Sequence, residues 1–278
     1  MKYIPKETIK ELCSKFDGRC SLHISIPFAG ETFEINSGEQ FRSASTIKIP
    51  LLALLLKDAE EGRIDIDRPI PLGEEGAVRG AGVIKYLSRD IRLSLYDYAT
   101  LMIIVSDNTA TNQVIDAVGI ERANAFFAEN GWHDTHLEMK LFVPTPGHEH
   151  GTASTNTTSA KDLADMLTRI HNKTMISQGV SEKMLSIMAC QQLGKLDKSI
   201  PNVWRPSCAR APITDIPEGN VLMAQKGGTL LGIVSHDTAI MMLPNGKSAI
   251  IVVMTDASGD KAIDLMKEIS LAVYKNLI

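Results

Sequence analysis

Segments with the alternating pattern of β-strands lie at both ends of this chain, and segments with helical periodicity lie between them. The alternating stretches cover residues 21–26, 31–36, 221–225, 238–243 and 248–255. Helical periodicity dominates residues 93–171, with Ser94 and Ser159 as expected N-caps. Because an isolated hairpin is only marginally stable, we expect the early and late strands to pair in one sheet.

The order of these patterns predicts an α+β fold in which a five-stranded antiparallel sheet is flanked by helices and carries an inserted all-α lobe. We expect residues 1–62 and 211–278 to form a discontinuous sheet domain and residues 63–210 to form the helical domain. Residues 46–61 have helical periodicity and are apolar on nearly every side before a charged tail at 57–61, which predicts a helix in the interior.

Length, charge and hydropathy limit the partners of the chain. Its 278 residues have 44% hydrophobic content and a net charge of −4, with no block of Lys or Arg that would neutralise phosphates. The longest apolar run, residues 49–56, is less than half of the roughly 20 residues that span a membrane. We therefore expect a small-molecule substrate, no nucleic acid and no membrane, and a monomer or a weak dimer.

The first residues bear on the cellular location of the protein, and the spacing of the cysteines bears on disulfide formation. Residues 1–7 contain no apolar signal-peptide core, so the chain as it stands is expected in the cytoplasm, or in a secreted or periplasmic location if a leader was removed. The four cysteines lack C-x-x-C spacing and are expected as free thiols, with a Cys13–Cys20 disulfide as the alternative. His148, Glu149 and His150 are expected on a surface loop, and neither a metal nor a cofactor is predicted.

Ser45 and Lys48 form an S-x-x-K motif at the start of the buried helix. The three-residue spacing places the hydroxyl and the amine on one helical face. A serine needs an adjacent base to act as a nucleophile, and a buried lysine kept neutral can serve. The alternative is an ordinary N-cap serine beside a solvated lysine.

Two further motifs follow in the chain. Ser106, Asp107 and Asn108 form an S-D-N tripeptide within the helical region, which as a structural feature would be a helix cap and turn. Lys226, Gly227 and Gly228 end a predicted strand, where they would otherwise be a bulge or turn.

Taken in order, S-x-x-K, S-D-N and K-x-G resemble the three motifs of class A β-lactamases and penicillin-binding proteins. The resemblance spans nearly the whole chain and includes residues 106–110 and 156–158. It implies a β-lactamase/transpeptidase-like fold. It also implies a serine hydrolase that works through an acyl-serine intermediate.

The resemblance implies a role for each motif residue. Ser45 would be the nucleophile, and Lys48 would accept or relay its proton. Ser106 would pass a proton to the leaving nitrogen, while Lys226 would hold a carboxylate and tune Ser106. The remaining groups would bind substrate: Asn108 at the acyl-amide, with Gly228 and Thr229 beside it. The backbone N–H groups of Ser45 and Thr229 would form the oxyanion hole.

The chain departs from the family pattern in two places. Gly227 replaces the usual Ser or Thr that hydrogen-bonds the substrate carboxylate, and Thr229 is a candidate for supplying that hydroxyl. The glutamate that activates the deacylating water is also missing, because Leu141 or Phe142 stands at its expected position. Glu138 and Glu149 are the candidates for a relocated base.

We expect hydrolysis of a β-lactam or a related amide or ester, with slow deacylation. The alternatives are a peptidase, esterase or glutaminase-like hydrolase on the same fold, and a non-catalytic module that binds or senses β-lactams.

Overall fold

The computed structural model describes residues 2–143 and 155–278. Within these ranges the strands are β1 (Cys20–Ile26), β2 (Glu31–Ile35), β3 (Gln40–Arg42), β4 (Pro69–Pro71), β5 (Arg92–Ser94), β6 (Thr157–Ser159), β7 (Val203–Trp204), β8 (Val221–Gln225), β9 (Gly228–Leu230), β10 (Val234–Met242) and β11 (Ser248–Thr255). The main sheet has the order β2-β1-β11-β10-β8-β7, and β9 pairs with β10. Two-stranded sheets join β3 to β6 and β4 to β5.

The two ends of the chain meet where β1 pairs with β11. This antiparallel pair runs from Cys20 opposite Thr255 to Ser25 opposite Ile250. Strands β2, β1, β11, β10 and β8 are the predicted five antiparallel strands, and the predicted α+β class is confirmed. The sheet is larger than predicted because β9 and β7 extend it, and β7 runs parallel to β8, so the sheet is mixed.

Helices cover both faces of this sheet. In the described ranges they are α1 (Lys6–Lys15), α2 (Lys48–Glu60), α3 (Leu95–Ile104), α4 (Asn108–Val118), α5 (Ile120–Glu129), α6 (Ala160–His171), α7 (Gln178–Ala189) and α8 (Asp260–Leu277). Alternate residues of β11 enter two hydrophobic cores: Ile250 and Val252 pack with the core of α2 to α7, and Ile251 and Val253 pack with α1 and α8. The sheet is therefore buried on both faces.

The buried helix differs from its prediction at its first turn. Residues Ala44–Ile47 form a 3-10 helix, and α2 begins only at Lys48. The Lys48 N–H bonds to the carbonyl of Ser45, three residues back, which winds this turn more tightly than an α-helix. Ala44 has a left-handed φ of 46° just before Ser45. The S-x-x-K serine thus lies on a tight turn ahead of the helix.

Other boundaries also differ from the sequence patterns. The strand predicted at 238–243 begins at Val234, because Val234, Ser235 and His236 pair with β9. The short strand β6 interrupts the region expected to be helical, since it pairs with β3. Ser94 and Ser159 are confirmed as N-caps of α3 and α6. Strand β7 lies within residues 63–210 and pairs with β8 of the main sheet.

Across residues 2–143 and 155–278, no helix has the length and apolar character that a bilayer span requires. The four cysteines are free thiols, as expected, and the sulfurs of Cys13 and Cys20 lie 3.7 Å apart.

Candidate active site

Ser45 lies at the floor of a cavity of about 530 Å³. Its side chain is half-buried, and neither its hydroxyl nor its backbone N–H bonds to any described residue. The polar residues at the cavity wall are Ser45, Asn108 and Thr229, whereas the large apolar ones are Leu141, Phe142, Leu230, Leu231 and Ile233. The free hydroxyl therefore faces a cavity that is mainly apolar.

Lys48 is fully buried at the start of α2 and points to the S-D-N loop. Its Nζ donates to the carbonyl of Ser106 at 2.8 Å, to Ser106 Oγ at 3.1 Å and to Asn108 Oδ1 at 3.0 Å. Burial, followed by repulsion from Lys226, lowers the Lys48 pKa well below its ordinary value, and the charge of Asp107 opposes this shift. The lowered pKa favours the neutral amine, which can accept a proton. No hydrogen bond joins it to Ser45 among the described residues.

Ser106 connects the first two motifs with the third. It has a left-handed φ of 55° between α3 and α4. Its Oγ accepts from Lys48 at 3.1 Å and from Lys226 at 3.0 Å. Since both lysines donate to this oxygen, the hydroxyl hydrogen of Ser106 must point away from both of them.

The other two residues of S-D-N have different tasks. Asp107 is the N-cap of α4, as the structural alternative predicted, and it also accepts from the N–H groups of Val83 and Ile84. Asn108 Oδ1 accepts from Lys48, and Asn108 Nδ2 donates to the carbonyl of Arg79 at 3.2 Å. One N–H of the Asn108 amide remains for a ligand in the cavity.

Lys226 is fully buried at the end of β8. Its Nζ donates to Ser106 Oγ and, at 2.7 Å, to the carbonyl of Gly227. Burial and then the charge of Lys195 lower the Lys226 pKa to about 7, against the opposite effect of Asp237. Lys48 and Lys226 thus converge on one hydroxyl from two different elements.

Gly228 brings β9 against the turn that carries Ser45. A Cβ at this position would lie 2.7 Å from the backbone nitrogen of Ser45. Thr229, the next residue, is exposed at the cavity wall. The structure therefore brings the Ser45 N–H beside the strand that carries Thr229.

Neither candidate for a relocated deacylation base, Glu138 or Glu149, is found at the cavity wall among the described residues. Glu138 is exposed, and its carboxylate accepts a hydrogen bond from Thr155 rather than lining the cavity. Glu149, with His148 and His150, lies outside the described residues. Leu141, which is only 5% exposed, and Phe142 line the cavity where the resemblance places the glutamate.

Three buried polar residues lie behind the third motif, and for two of them, His236 and Asp237, the sequence leaves open a role in orienting the site or the start of a strand. His236 is buried, bonds to the carbonyl of Arg42 through Nε2 and accepts from the Thr255 N–H through Nδ1. Burial lowers its pKa to about 4, so the ring is neutral. Asp237 and Lys195 are buried next to it. Sequence gives His236 and Asp237 only as a dipeptide near the motif, and Lys195 lies in no motif.

Comparison with known proteins places this chain in a family. Residues 4–277 match the family described as Beta-lactamase enzyme family. The chain belongs to this family. The resemblance to class A β-lactamases that the motifs carry is confirmed.

Relatives with named activities are about a quarter identical to this β-lactamase family member over the aligned residues. Beta-lactamase CARB-3 of Pseudomonas aeruginosa is 26% identical over 72% of this chain and 69% of its own length. The imipenem-hydrolyzing beta-lactamase of Enterobacter cloacae is 29% identical over 56% of this chain and 55% of its own.

Solved structures give similar fold matches. PBP-A has 26% identity and a TM-score of 0.80, covering 97% of this chain and 94% of its own. A β-lactamase of Sphaerobacter thermophilus has 25% identity and a TM-score of 0.80, covering 97% and 95%.

Proposed function

We propose that the chain is a serine hydrolase that is acylated at Ser45 by a β-lactam or a related amide and that releases the acyl group slowly. The observation that carries this proposal is the convergence of two buried lysines, Lys48 and Lys226, on Ser106 beside the free Ser45 hydroxyl. The relatives named as β-lactamases support the choice of substrate.

Acylation uses Ser45, Ser106 and the two buried lysines, with the Ser45 proton reaching Lys48 after a small rearrangement or through a water molecule. Ser45 Oγ attacks the carbonyl carbon, and its proton passes to Lys48, whose pKa burial has lowered. The N–H groups of Ser45 and Thr229 stabilise the oxyanion as it forms. Ser106 then gives its proton to the leaving nitrogen and is reprotonated from Lys48 or Lys226, which both bond to its oxygen.

Deacylation lacks a comparable group. Hydrolysis of the acyl-serine needs a base aimed at a water molecule, and no carboxylate from the described residues lines the cavity. Leu141 and Phe142 cannot accept a proton. Loss of a positioned base costs a step about 10²–10⁴-fold. We therefore expect acyl-enzyme to accumulate.

Stopped-flow kinetics with a chromogenic cephalosporin test both half-reactions. The expected result is a rapid burst of one equivalent and then a slow steady rate, with most of the protein carrying the adduct by intact-mass analysis. Fast linear turnover with mainly free protein would contradict slow deacylation, and Glu138→Ala and Glu149→Ala would then show which carboxylate is the base. Absence of any adduct on Ser45 would contradict the acyl-serine proposal itself.

The apolar cavity wall favours a second candidate, an esterase or amidase acting through the same Ser45. Leu230, Leu231 and Ile233 offer more apolar surface than a small polar substrate needs. Rates for the cephalosporin, glutamine and p-nitrophenyl esters, compared on one preparation, distinguish β-lactam, glutaminase-like and ester hydrolysis. An adduct that never turns over would identify the binding or sensing alternative.

A further inference from the structure

Two cysteine sulfurs face each other at the junction between the first helix and the sheet. Cys13 lies in the last turn of α1, and Cys20 is the first residue of β1. Their sulfurs are 3.7 Å apart, which is hydrogen-bond distance for two thiols. Cys20 is only 6% exposed, whereas Cys13 is half-buried and can be reached from solvent. The pair therefore consists of one accessible thiol and one buried thiol.

Both cysteines are held in place by the elements that carry them. Cys20 pairs with Thr255 of β11, and its carbonyl accepts from Asn36 Nδ2 at 3.3 Å. The helix of Cys13 packs on α8 and the sheet. In the loop between the two cysteines, the Arg19 N–H donates to Asp256 Oδ1 at 2.6 Å, which fixes the loop to the end of β11. The fold thus keeps the two sulfurs together.

The two thiols differ in acidity. The hydrogen bond with Cys20 lowers the pKa of Cys13, although burial opposes this shift. The same hydrogen bond raises the pKa of Cys20, and burial and the nearby charges of Cys13 and Asp256 add to the rise. The thiolate is the form of cysteine that reacts with oxidants, so Cys13 is the reactive partner and Cys20 stays protonated. An accessible cysteine of lowered pKa beside a second thiol is the arrangement found at redox-sensing sites.

We propose that Cys13 and Cys20 are an oxidation site for hydrogen peroxide, at which Cys13 is oxidised first and Cys20 then closes a reversible disulfide. The Cys13 thiolate attacks one peroxide oxygen, the O–O bond breaks, and Cys13 becomes a sulfenic acid while hydroxide leaves and takes up a proton as water. The Cys20 sulfur then attacks the Cys13 sulfur, and its thiol proton leaves with the sulfenic hydroxyl as a second water. The two thiols thereby lose two electrons and two protons to the peroxide.

The disulfide fastens α1 to the sheet. It closes a short ring of the chain that contains the loop between Cys13 and Cys20. Such a cross-link removes conformational freedom from the unfolded chain, and for a ring of this size we expect Tm to rise by about 5–10 °C. None of the residues around Ser45 takes part, so the inference is independent of the proposed function.

Treatment with hydrogen peroxide followed by thiol counting tests the order of the two steps. The Cys190→Ser/Cys208→Ser protein keeps only this pair, and it should lose both thiols together with the mass of two hydrogen atoms, while dithiothreitol restores both. With Cys20→Ser added, Cys13 should stop at the sulfenic acid and be trapped by dimedone. With Cys13→Ser added instead, Cys20 should keep its thiol at the same peroxide concentration. Oxidation of Cys20 in that variant would overturn the assigned order.

Thermal melts of the oxidised and reduced forms test whether the disulfide fastens the helix. Tm should rise by about 5–10 °C on oxidation of the protein that keeps the pair, and dithiothreitol should reverse the rise. Cys13→Ser and Cys20→Ser in the same background are the matched controls, and peroxide should leave their Tm unchanged. Two thiols that both remain open to iodoacetamide after peroxide would overturn the proposal, and so would a disulfide that forms without raising Tm.

Discussion

Ser45 differs from the other motif residues in that its hydroxyl has no partner among the described residues. The Lys48 Nζ, by contrast, contacts three acceptor atoms on Ser106 and Asn108, and the neutral amine that accepts a proton can donate to two of them. A proton from Ser45 must therefore reach Lys48 after a small rearrangement or through a water molecule, since catalytic hydrogen bonds often form only in the substrate complex. The hydrogen bonds of Lys48 are therefore formed in the free protein, whereas we expect those of Ser45 to form only in the substrate complex.

Replacing Ser45 by alanine should abolish covalent labelling and leave the fold intact. The structure gives the Ser45 hydroxyl no capping bond, so the free energy of unfolding should change by no more than about 0.5 kcal/mol. Intact-mass analysis with a β-lactam and a thermal melt measure the two effects. An adduct that survives the substitution would exclude Ser45 as the nucleophile.

The protonation of Lys226 should set the alkaline limit of acylation. Its pKa is lowered to about 7, so the ammonium is lost as pH rises through this value, and with it the charge that attracts an anion. We expect the second-order acylation rate to fall tenfold per pH unit above the pKa of Lys226 for a carboxylate substrate. Single-turnover acylation rates of benzylpenicillin and of its uncharged methyl ester, measured from acid to alkaline pH, test this. The rate for the ester should fall less steeply at alkaline pH. Identical profiles for acid and ester would contradict the role of this charge.

Strand β9 and the 3-10 turn of Ser45 form the element-level contact on which the site depends. Gly228 allows the strand to pass the Ser45 nitrogen, while Gly227, one residue earlier, allows Lys195 to approach from the other side. Two adjacent glycines thus give close approach to two different elements. This explains why the third motif of this chain is K-G-G.

Alanine at position 228 should separate β9 from the turn. The new Cβ would lie 2.7 Å from a backbone nitrogen that cannot rotate away, so the strand or the turn must shift. Because removal of one oxyanion-hole donor costs about 10²–10³-fold, we expect an acylation loss of that order. Gly38→Ala is the control, since a Cβ there meets nothing within 4 Å. Acylation by Gly228→Ala that equals the control would refute this account of the contact.

At the scale of the whole molecule, the sequence predicts features that depend on local periodicity and fails where distant segments meet. The five antiparallel strands and the caps at Ser94 and Ser159 follow from patterns of a few residues. Lys48 and Lys226 can be selected as candidate site residues from the spacing within their motifs. The position of Lys195 could not be predicted in this way, because this residue contacts Asp237 and His236 of the sheet only in the folded chain. Strand β7 is too short for an alternating pattern, and the 3-10 turn at Ser45 lies against β9, which is distant in the sequence.

The buried lysines should also make the stability of the whole chain depend on pH. The Lys226 pKa is about 7 when folded and 10.5 as the ordinary value, so between these values the unfolded chain binds more protons. Its contribution to stability is therefore complete above about pH 10.5 and is lost as pH falls towards 7. From pH 7 to 9 the free energy of unfolding should rise by about 2 kcal/mol from Lys226, which is roughly 5 °C in Tm. Thermal melts of the natural chain and Lys226→Met at both pH values measure this, with a smaller rise expected for the variant because Lys48 and Lys195 still contribute in the same direction. An equal change in both proteins would mean that Lys226 is not a buried amine with a lowered pKa.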